Sequence, residues 1–362
     1  MDAKERISII ENFDIDEIDI QKHGNGHIND TFVVTKGNEK MLLQRLNTDI
    51  FKNPIGVMQN IVNVTEFIKN KLKAGGADAE RETMTVINAC DGNPYFITES
   101  GKFFRMYKYI DNTISVDKAQ CPEQMTNAAK VLGKFYHMLS DYPADTLNVA
   151  IENFHNTRNY YNRFIKAVEN DVCSRKKNVE AEICFVKDHE YLADILSSGI
   201  ENGSIPIRVT HNDTKLNNIL FDATTGEGLC VIDLDTVMPG TVLYDFGDAM
   251  RFGASSGAED EKDLSKIWFD LEMFDAFTKG FAAEMKDTMS DAEIENLVNS
   301  VKILTFECGT RFLEDYLKGD TYFKTSYPDH NLDRARTQFK LVSDMETKEK
   351  QMQAIVDKYF KA

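Results

Sequence analysis

The pattern of apolar and polar positions changes about one third of the way along the 362-residue chain. Up to residue 110, short stretches alternate between apolar and polar residues and are separated by turn residues, which is typical of strands. We expect strands at 18–21, 30–35, 41–46, 84–87, 95–97 and 103–109, and a helix at 54–73 that begins with a proline. This order predicts a small antiparallel sheet covered by one helix.

Beyond residue 110, apolar residues recur mainly at helical spacing. Helices are expected at 122–140, 155–169, 178–196, 262–285, 291–317 and 331–359. Two β-branched segments, 205–210 and 229–234, are the only strands expected in this part, and they flank a polar loop. No repeat or low-complexity linker interrupts the chain. The pattern predicts an α+β protein with two lobes, 1–110 and 111–362, joined tightly near residues 110–113.

Charge narrows the function classes. The formal net charge is −17, of which −2 lies in residues 1–110 and −15 in the remainder. Such a chain is a poor binder of nucleic acids or anionic membranes, which are recognised through Lys and Arg. No stretch approaches the ~18 apolar residues of a membrane helix, and the N-terminus lacks the apolar region of a signal peptide. We therefore expect a cytoplasmic protein.

The six cysteines are dispersed and include no CxxC pair. This spacing indicates neither a zinc site nor a disulfide scaffold. We expect them to be free, buried thiols.

The polar loop between the two later strands carries the candidate chemistry. It contains the spacing H-x-D-x-x-x-x-N from His211 to Asn218, and an apolar-apolar-Asp sequence ends at Asp233. An aspartate can accept a proton from a substrate hydroxyl, while an amide and a second carboxylate can supply oxygen ligands to Mg²⁺. With Asp213 as the base and Lys215 as a cation near the γ-phosphate, the set meets the requirements of phosphoryl transfer.

Together with this loop, several other segments resemble the aminoglycoside phosphotransferase and choline kinase-like branch of the protein-kinase fold, and most closely the N-acetylhexosamine 1-kinases. The resemblance extends along nearly the whole chain. The segments that carry it are 24–32 (GNGHINDTF), 43–47 (LQRLN), 211–220 (HNDTKLNNIL), 232–236 (IDLDT), 245–248 (DFGD), 307–312 (ECGTRF) and 334–338 (RARTQ).

The resemblance implies a bilobal kinase-like fold, a small antiparallel N-lobe and a larger helical C-lobe, with ATP and one or two Mg²⁺ ions used to phosphorylate the anomeric hydroxyl of N-acetylglucosamine or N-acetylgalactosamine. Asp213 would be the catalytic base and would also touch the sugar. Asn218 and Asp233 would bind magnesium, and Asp235 would join them through water or a second ion. His211 and Asp245 would support the loop without touching the substrate.

The expected nucleotide site departs from the kinase pattern in two places. Gly24, Gly26, His27 and Asn29 lie where a glycine-rich loop would cover the phosphates, but the sequence reads G-x-G-H-I-N. Gln44 falls nearest the usual ATP-contacting lysine. An amide can hydrogen-bond a phosphate without adding charge, which leaves more of the neutralisation to Mg²⁺ and Lys215.

Two further regions complete the expected site. Residues 107–110, with Tyr107 and Tyr109, would form the hinge that contacts adenine. Arg311 is a charge among apolar residues and needs a partner such as a substrate oxygen or a carboxylate, and the resemblance implies that it binds the sugar. Tyr322 is a weaker candidate for the sugar site.

Other functions remain open from the sequence. The acceptor could be another small alcohol, such as a different sugar, an aminoglycoside or a choline-like molecule. The D-L-D at 233–235 could be the DxD of a metal-dependent glycosyltransferase, although the first 110 residues lack a βαβ unit. A kinase-like module that binds ATP without transferring phosphate is the third alternative, although its base and metal ligands are present.

Overall fold

The computed structural model describes residues 3–15, 19–23 and 28–361. It shows an α+β architecture in which strands dominate the first part of the chain and helices the second. The strands are β1 (Asp19–Lys22), β2 (Asp30–Lys36), β3 (Glu39–Leu46), β4 (Val86–Ile87), β5 (Phe96–Ile97), β6 (Phe103–Lys108), β7 (Thr113–Ile114), β8 (Arg208–Thr210), β9 (Ile219–Asp222), β10 (Gly228–Val231) and β11 (Met238–Gly240).

The helices are α1 (Ala3–Asn12), α2 (Pro54–Ala74), α3 (Ala79–Glu82), α4 (Pro122–Met138), α5 (Thr157–Asn170), α6 (Glu180–Asp188), α7 (Ile195–Glu201), α8 (Val242–Gly253), α9 (Leu271–Met285), α10 (Asp291–Glu295), α11 (Leu297–Leu317) and α12 (His330–Phe360). Short 3-10 turns connect several of them.

The chain forms two compact units. The sheet unit comprises Met1–Ile114, Asp141–Glu152 and Ile219–Pro239, and the helical unit comprises Ser115–Ser140, Asn153–Asn218 and Gly240–Ala362. The single cut expected after residue 110 therefore differs from the packing, because two later segments pack with the sheet. One of those segments carries Asp233.

The main sheet of the sheet unit is antiparallel, in the order β1-β2-β3-β6-β4, with β5 also paired to β6. The interior strand β6, which pairs with β3, β4 and β5, is buried on both faces. Phe104 and Met106 pack with Leu43 and with Ile9 of α1 on one face. The expectation of a single covering helix is therefore wrong, since a sheet that is apolar on both faces needs a layer on each.

The second face of β6 presents Arg105 toward α2, where the guanidinium Nη1 lies 3.9 Å from the sulfur of Met58. Helix α2 begins with Pro54 after an Asn53 cap, whose side chain accepts a hydrogen bond from the Gly56 amide. The predicted helix at 54–73 is confirmed. Its proline and cap suit the first turn, where backbone amides have no helical partner.

The helical unit has an aromatic centre. Phe246 of α8 makes edge contacts with Phe274, Phe277 and Phe281 of α9, at centroid distances between 5.3 and 6.1 Å. Helix α11 is buried along most of its length and packs against α5, α8 and α12. These helices provide the rigid base from which the loop at 211–218 extends.

Two strand predictions need correction. The strand expected at 229–234 ends at Val231, because Asp233 adopts a left-handed conformation with φ of 61° that cannot continue a strand. The sequence pattern also predicts no strand at 219–222, where the structure has β9 paired antiparallel with β10. Four residues in a hairpin arm are too few to show a period when a polar loop precedes them.

Helix boundaries also differ from the pattern. The helix expected at 178–196 is broken into α6, a 3-10 turn and α7. The one expected at 262–285 begins only at Leu271, because Asp270 caps it by accepting hydrogen bonds from the amides of Glu272 and Met273. Helices α1 and α8 lie outside every predicted segment.

The cysteines are free, but most of them are not buried. Only Cys230 is buried; Cys308 is half-buried, and Cys90, Cys121, Cys173 and Cys184 are exposed. The expectation of buried thiols is therefore wrong for four of the six. Within the described ranges, no helix is both long enough and apolar enough to cross a membrane.

Candidate active site

The loop that follows β8 has an irregular backbone that its neighbours accommodate closely. Asn212 adopts a left-handed conformation with φ of 65°, which asparagine tolerates better than most residues. Gly240 lies beside the start of the loop, and a Cβ atom there would sit 2.6 Å from Oγ1 of Thr210. Only glycine allows this approach.

A buried carboxylate holds the loop. Asp245, in the first turn of α8, accepts hydrogen bonds from the backbone amides of His211 and Asn212 at 2.8 and 2.6 Å. The Tyr136 hydroxyl donates a third at 2.7 Å, and the Thr214 hydroxyl donates to the Asp245 carbonyl. Four donors, three from the loop and one from α4, thus meet at one residue.

Two opposing effects act on the charge of Asp245. Burial raises the pKa of Asp245 above its ordinary value, although the charge of His211 and the hydrogen bonds from Tyr136 and the loop amides lower it in part. The position in the first turn of α8 also favours an anion, because the exposed amides of a helix N-terminus carry partial positive charge. The carboxylate accepts three hydrogen bonds, which offset part of the cost of its burial.

A second buried pair braces the same loop from α11. Nδ1 of His155 lies 3.0 Å from Oε1 of Glu307, and its Nε2 lies 3.1 Å from the carbonyl oxygen of Asn212. The Thr157 hydroxyl donates to the other oxygen of Glu307 at 2.7 Å. Burial lowers the pKa of His155, but the hydrogen bond and charge of Glu307 raise it more, so the pKa lies above its ordinary value.

Asp213 extends from this braced loop and remains accessible. Its side chain is 24% exposed, and one oxygen lies 2.8 Å from Nζ of Lys215. The amide nitrogen of Asn218 donates to the Asp213 carbonyl at 2.8 Å and to its other side-chain oxygen at 3.3 Å. The carboxylate is therefore fixed on both sides while it still faces solvent.

Lys215 belongs to a wider group of charges. Desolvation lowers its pKa, but the Asp213 carboxylate raises it more, with Asp248 adding to the effect. Asp248 in turn forms an ion pair with Arg251 at 2.9 Å. Burial raises the pKa of Asp248, but the charges of Arg251 and His155 lower it by more. The pKa therefore lies below its ordinary value and the carboxylate is charged.

Arg311 lies on α11 against an aromatic wall. Its guanidinium stacks 4.9 Å from the ring centroid of Tyr160 and 5.6 Å from that of Phe323. Among the described residues, no side-chain or backbone oxygen accepts a hydrogen bond from it. Tyr322 is 68% exposed and contacts the Phe323 ring.

The loop that supplies this wall depends on a buried carboxylate. Asp315 accepts hydrogen bonds from the backbone amides of Thr321, Tyr322 and Phe323 at 2.9–3.0 Å. Asn331 donates to it from α12 at 2.9 Å. Asp315 therefore fixes the loop that packs against Arg311.

The sheet unit holds the remaining candidates. Asp233, with its left-handed backbone, immediately precedes a 3-10 turn at Leu234–Thr236. Asp235 is buried and forms an ion pair with Nη1 of Arg105 at 2.5 Å, and Asn29 donates to its other oxygen at 2.6 Å. Gln44 accepts hydrogen bonds from Nη2 and Nε of Arg105 at 2.8 and 3.0 Å.

The two hinge tyrosines differ in environment. Tyr107 lies inside the sheet opposite Leu42 and Val86, and burial raises the pKa of its buried phenol. Tyr109 lies beyond the end of β6 and is half-buried beside Lys40. Of the two, only Tyr109 lies outside the strand pairing. The predicted phosphate-covering residues Gly24, Gly26 and His27 fall outside the described residues.

The donor set suits a hard cation. Among the described residues, no three His, Cys, Asp or Glu side chains gather as a metal centre. Mg²⁺ does not require such a cage, because it binds through one or two carboxylates, waters and substrate phosphates. In Asn218 both hydrogen bonds run through the amide nitrogen, which leaves the oxygen as the atom able to accept a cation.

Sequence reasoning missed His155, Glu307, Arg105, Arg251 and Asp315. Arg105 carried a readable signal, since an arginine interrupts the apolar run F-F-R-M-Y of a strand. A charge in such a run must find a buried partner. The other four lie on helices or loops where a charged residue is usually solvated, and only the packing shows them to be enclosed.

Comparison with protein families matches residues 19–276, well over half of the chain, to the phosphotransferase enzyme family. Similar solved structures include a microcompartment-associated aminopropanol kinase, at 13% identity and TM-score 0.65, covering 97% of this chain and 99% of that one. A spectinomycin phosphotransferase in complex with ADP and spectinomycin matches at 13% and 0.60, with the same coverage.

Choline kinase from Cryptosporidium parvum Iowa II matches at 15% identity and TM-score 0.58, with both chains fully covered. Identities this low show the fold alone. The likeness confirms the predicted α+β, protein-kinase-like architecture, with an antiparallel sheet in the first part and helices in the second.

The buried His155–Glu307 pair predicts a pH dependence of stability. Because the folded-state pKa of His155 is raised above 6.5, its contribution is complete below pH 6.5 and is lost as pH rises through the folded-state value. His155→Asn should lower the free energy of unfolding on the order of 3 kcal/mol at pH 6, and the deficit should shrink toward pH 9. Urea denaturation at both pH values measures this.

The matched control is His137→Asn, which changes an exposed histidine of α4 and should leave the pH profile unchanged. A His155 deficit that is constant or grows with pH would show that the pair is not charged in the folded protein.

Proposed function

Since this chain belongs to the phosphotransferase enzyme family, we propose that it transfers the γ-phosphoryl group of Mg-ATP to the anomeric hydroxyl of an N-acetylhexosamine, giving the sugar 1-phosphate. The observation that carries the proposal is the braced loop of Asp213. A carboxylate that is fixed by two neighbours and still exposed can receive a proton from a bound hydroxyl.

Each group of the loop has one task in this reaction. Asp213 accepts the proton of the sugar hydroxyl as its oxygen attacks the γ-phosphorus. The bond from the γ-phosphorus to the bridging oxygen of ATP breaks, and ADP leaves with those electrons. Lys215, which stays protonated beside Asp213, offsets the negative charge of the transferring group.

Asn218 and Asp233 are the proposed magnesium ligands, through the amide oxygen and a carboxylate oxygen. When bound, the ion neutralises phosphate charge and orients the γ-phosphoryl group. The assignment rests on the resemblance and on hard oxygen donors that suit Mg²⁺.

Most residues that the sequence predicts to contact the nucleotide are kept in the proposal, and the roles of two of them change. Gly24, Gly26 and His27 are proposed to cover the phosphates, and Tyr109 to adjoin the adenine site. Gln44 and Asn29 take part in hydrogen bonds to Arg105 and Asp235, which favours a supporting role for both.

The acceptor is proposed to be a neutral sugar that contacts Arg311 and Tyr322. A guanidinium on an aromatic wall, without an oxygen partner among the described residues, can donate to a carbonyl such as that of an acetamido group. The same charge repels an ammonium group. This favours an N-acetylhexosamine over choline-like or aminoglycoside acceptors, which are the second candidates within the class.

The other two classes have less support. A DxD glycosyltransferase needs both aspartates of residues 233–235 for metal, but Asp235 is engaged by Arg105 and Asn29. A module that only binds ATP would have no need for an exposed, fixed base at residue 213.

The direct test is turnover. The purified protein, Mg-ATP and a panel of free hexosamines, amino alcohols and aminoglycosides are incubated, and ³¹P NMR identifies the product. We expect an anomeric sugar phosphate from N-acetylglucosamine or N-acetylgalactosamine. Asp213→Asn should lower kcat about 10²- to 10⁴-fold, the usual contribution of a general base, with Mg-ATP affinity nearly unchanged.

Asp145→Asn is the matched control, because it makes the same change at an exposed position. An unchanged kcat in Asp213→Asn would remove this residue from the role of base. Phosphorylation of an amino alcohol but of no sugar would contradict the proposed acceptor while leaving the reaction class intact.

Because ATP and the protein both carry negative charge, we expect ATP binding to require a divalent cation. ATP is a polyanion, and the proposed site contains the carboxylates of Asp213 and Asp233 in a chain of net charge −17. Removing divalent cations with EDTA should weaken ATP binding by more than about tenfold, or 1.4 kcal/mol. Isothermal titration calorimetry with and without Mg²⁺ measures the change. Tight binding in EDTA would count against the assignment.

A further inference from the structure

Arg105 is the most deeply buried cation of the sheet unit. Its side chain is 1% exposed in the middle of the interior strand β6. A charge in such a place is tolerated only when its donors are matched by acceptors. Two of its nitrogens donate to Oε1 of Gln44, and Nη1 pairs with Oδ1 of Asp235.

Both carboxylate oxygens of Asp235 also contact polar groups of the sheet unit. Its Oδ1 faces Arg105 at 2.5 Å, and its Oδ2 accepts a hydrogen bond from Asn29 at 2.6 Å. Asn29 is itself fixed, because its oxygen accepts from the Asn47 amide at 3.0 Å. Oδ1 of Asp235 is thus held by the ion pair with Arg105, without a hydrogen bond of good geometry, and Oδ2 by the hydrogen bond from Asn29.

The same short segment is tied at a third point. Asn60 of α2 donates a hydrogen bond to the Val237 carbonyl at 2.8 Å. Asp233, two residues before Asp235, adopts a left-handed backbone, which aspartate tolerates better than most residues but which neighbouring contacts must still hold in place. The contacts of residues 235 and 237 restrain the chain directly after this turn.

We propose that Asp235 is a positioning residue rather than a metal ligand, and that Arg105, held by Gln44, fixes Asp235 and with it the left-handed turn that presents Asp233. The metal-binding consequence rests on the proposed function, in which Asp233 is a magnesium ligand. The anchoring itself depends only on the sheet unit.

This arrangement also explains the amide at position 44. Gln44 and Arg105 are register partners on adjacent strands, and the Gln44 oxygen receives two of the guanidinium hydrogen bonds. A lysine at this position would place an ammonium group against a buried guanidinium and leave the two N–H donors unpaired. The positive charge is therefore supplied by Arg105 on β6 and not by residue 44 on the neighbouring strand β3.

The experiment compares Asp235→Asn, Arg105→Met and the double variant with the full-length wild-type protein. Thermal unfolding is followed in EDTA without any substrate. Mn²⁺ binding is followed by electron paramagnetic resonance in the presence of the non-hydrolysable ATP analogue AMP-PNP. Arg45→Met is the matched control, since Arg45 lies next to Gln44 on β3 but pairs with Asp30 in a half-exposed position.

We expect both single variants to unfold at lower temperature and to raise the Kd for Mn²⁺ about 10- to 100-fold, as for other residues that orient a metal ligand. The double variant should be no worse than the poorer single variant, because the two changes break the same contact. Arg105→Lys keeps the charge without the planar fork and should fall between wild type and Arg105→Met. Arg45→Met should leave the Mn²⁺ affinity unchanged.

A loss of Mn²⁺ affinity in Asp235→Asn that Arg105→Met does not share would identify Asp235 as a ligand and overturn the proposal. Additive effects in the double variant would overturn it as well. If Arg105→Met fails to fold, Arg105→Lys decides the question, since wild-type Mn²⁺ affinity in that variant contradicts a need for the fork. The unfolding measurements use no acceptor, so they stand even if no sugar is phosphorylated.

Discussion

The structure of the candidate active site depends on the hydrogen bonds that the buried carboxylate of Asp245 accepts from the backbone amides of His211 and Asn212. Those amides lie in a turn outside the helices and strands, and the Asp245 carboxylate is the acceptor of both. A buried N–H group without an acceptor costs about 1–3 kcal/mol. One side chain on a rigid helix thus determines whether the loop of Asp213 can hold its shape.

Other buried charges order the chain next to them in the same way. Glu307 fixes His155, which holds the Asn212 carbonyl, and Asp315 fixes the loop that carries Phe323. In the sheet unit, Asp235 meets Arg105 in the same enclosed manner. Each of these buried charges is expensive alone, and its hydrogen bonds or ion pair offset that cost while they order the neighbouring chain. The groups proposed for chemistry, Asp213 and Lys215, are the ones left partly exposed.

This division explains what the sequence could predict. The elements with strong periodicity, such as α2 and the strands of the main sheet, were predicted with small boundary errors, and the spacing from Asp213 to Asn218 identified the loop. The buried contacts that support the loop could not be predicted, because the residues that form them are far apart in the sequence. His155 and Glu307, for example, are 152 residues apart. The left-handed turn at Asp233 was not predictable for another reason. The pattern of apolar and polar side chains carries no information on the backbone angle φ at a single residue.

The central claim is that Asp245 holds the loop of Asp213 in its working shape, and amide hydrogen exchange tests it most directly. In wild type, the amides of His211 and Asn212 should be protected nearly as well as those of the surrounding helices. In Asp245→Asn the account predicts that these two amides exchange far faster while the core of α11 stays protected, together with a loss of turnover. Unchanged protection at His211 and Asn212 would contradict it.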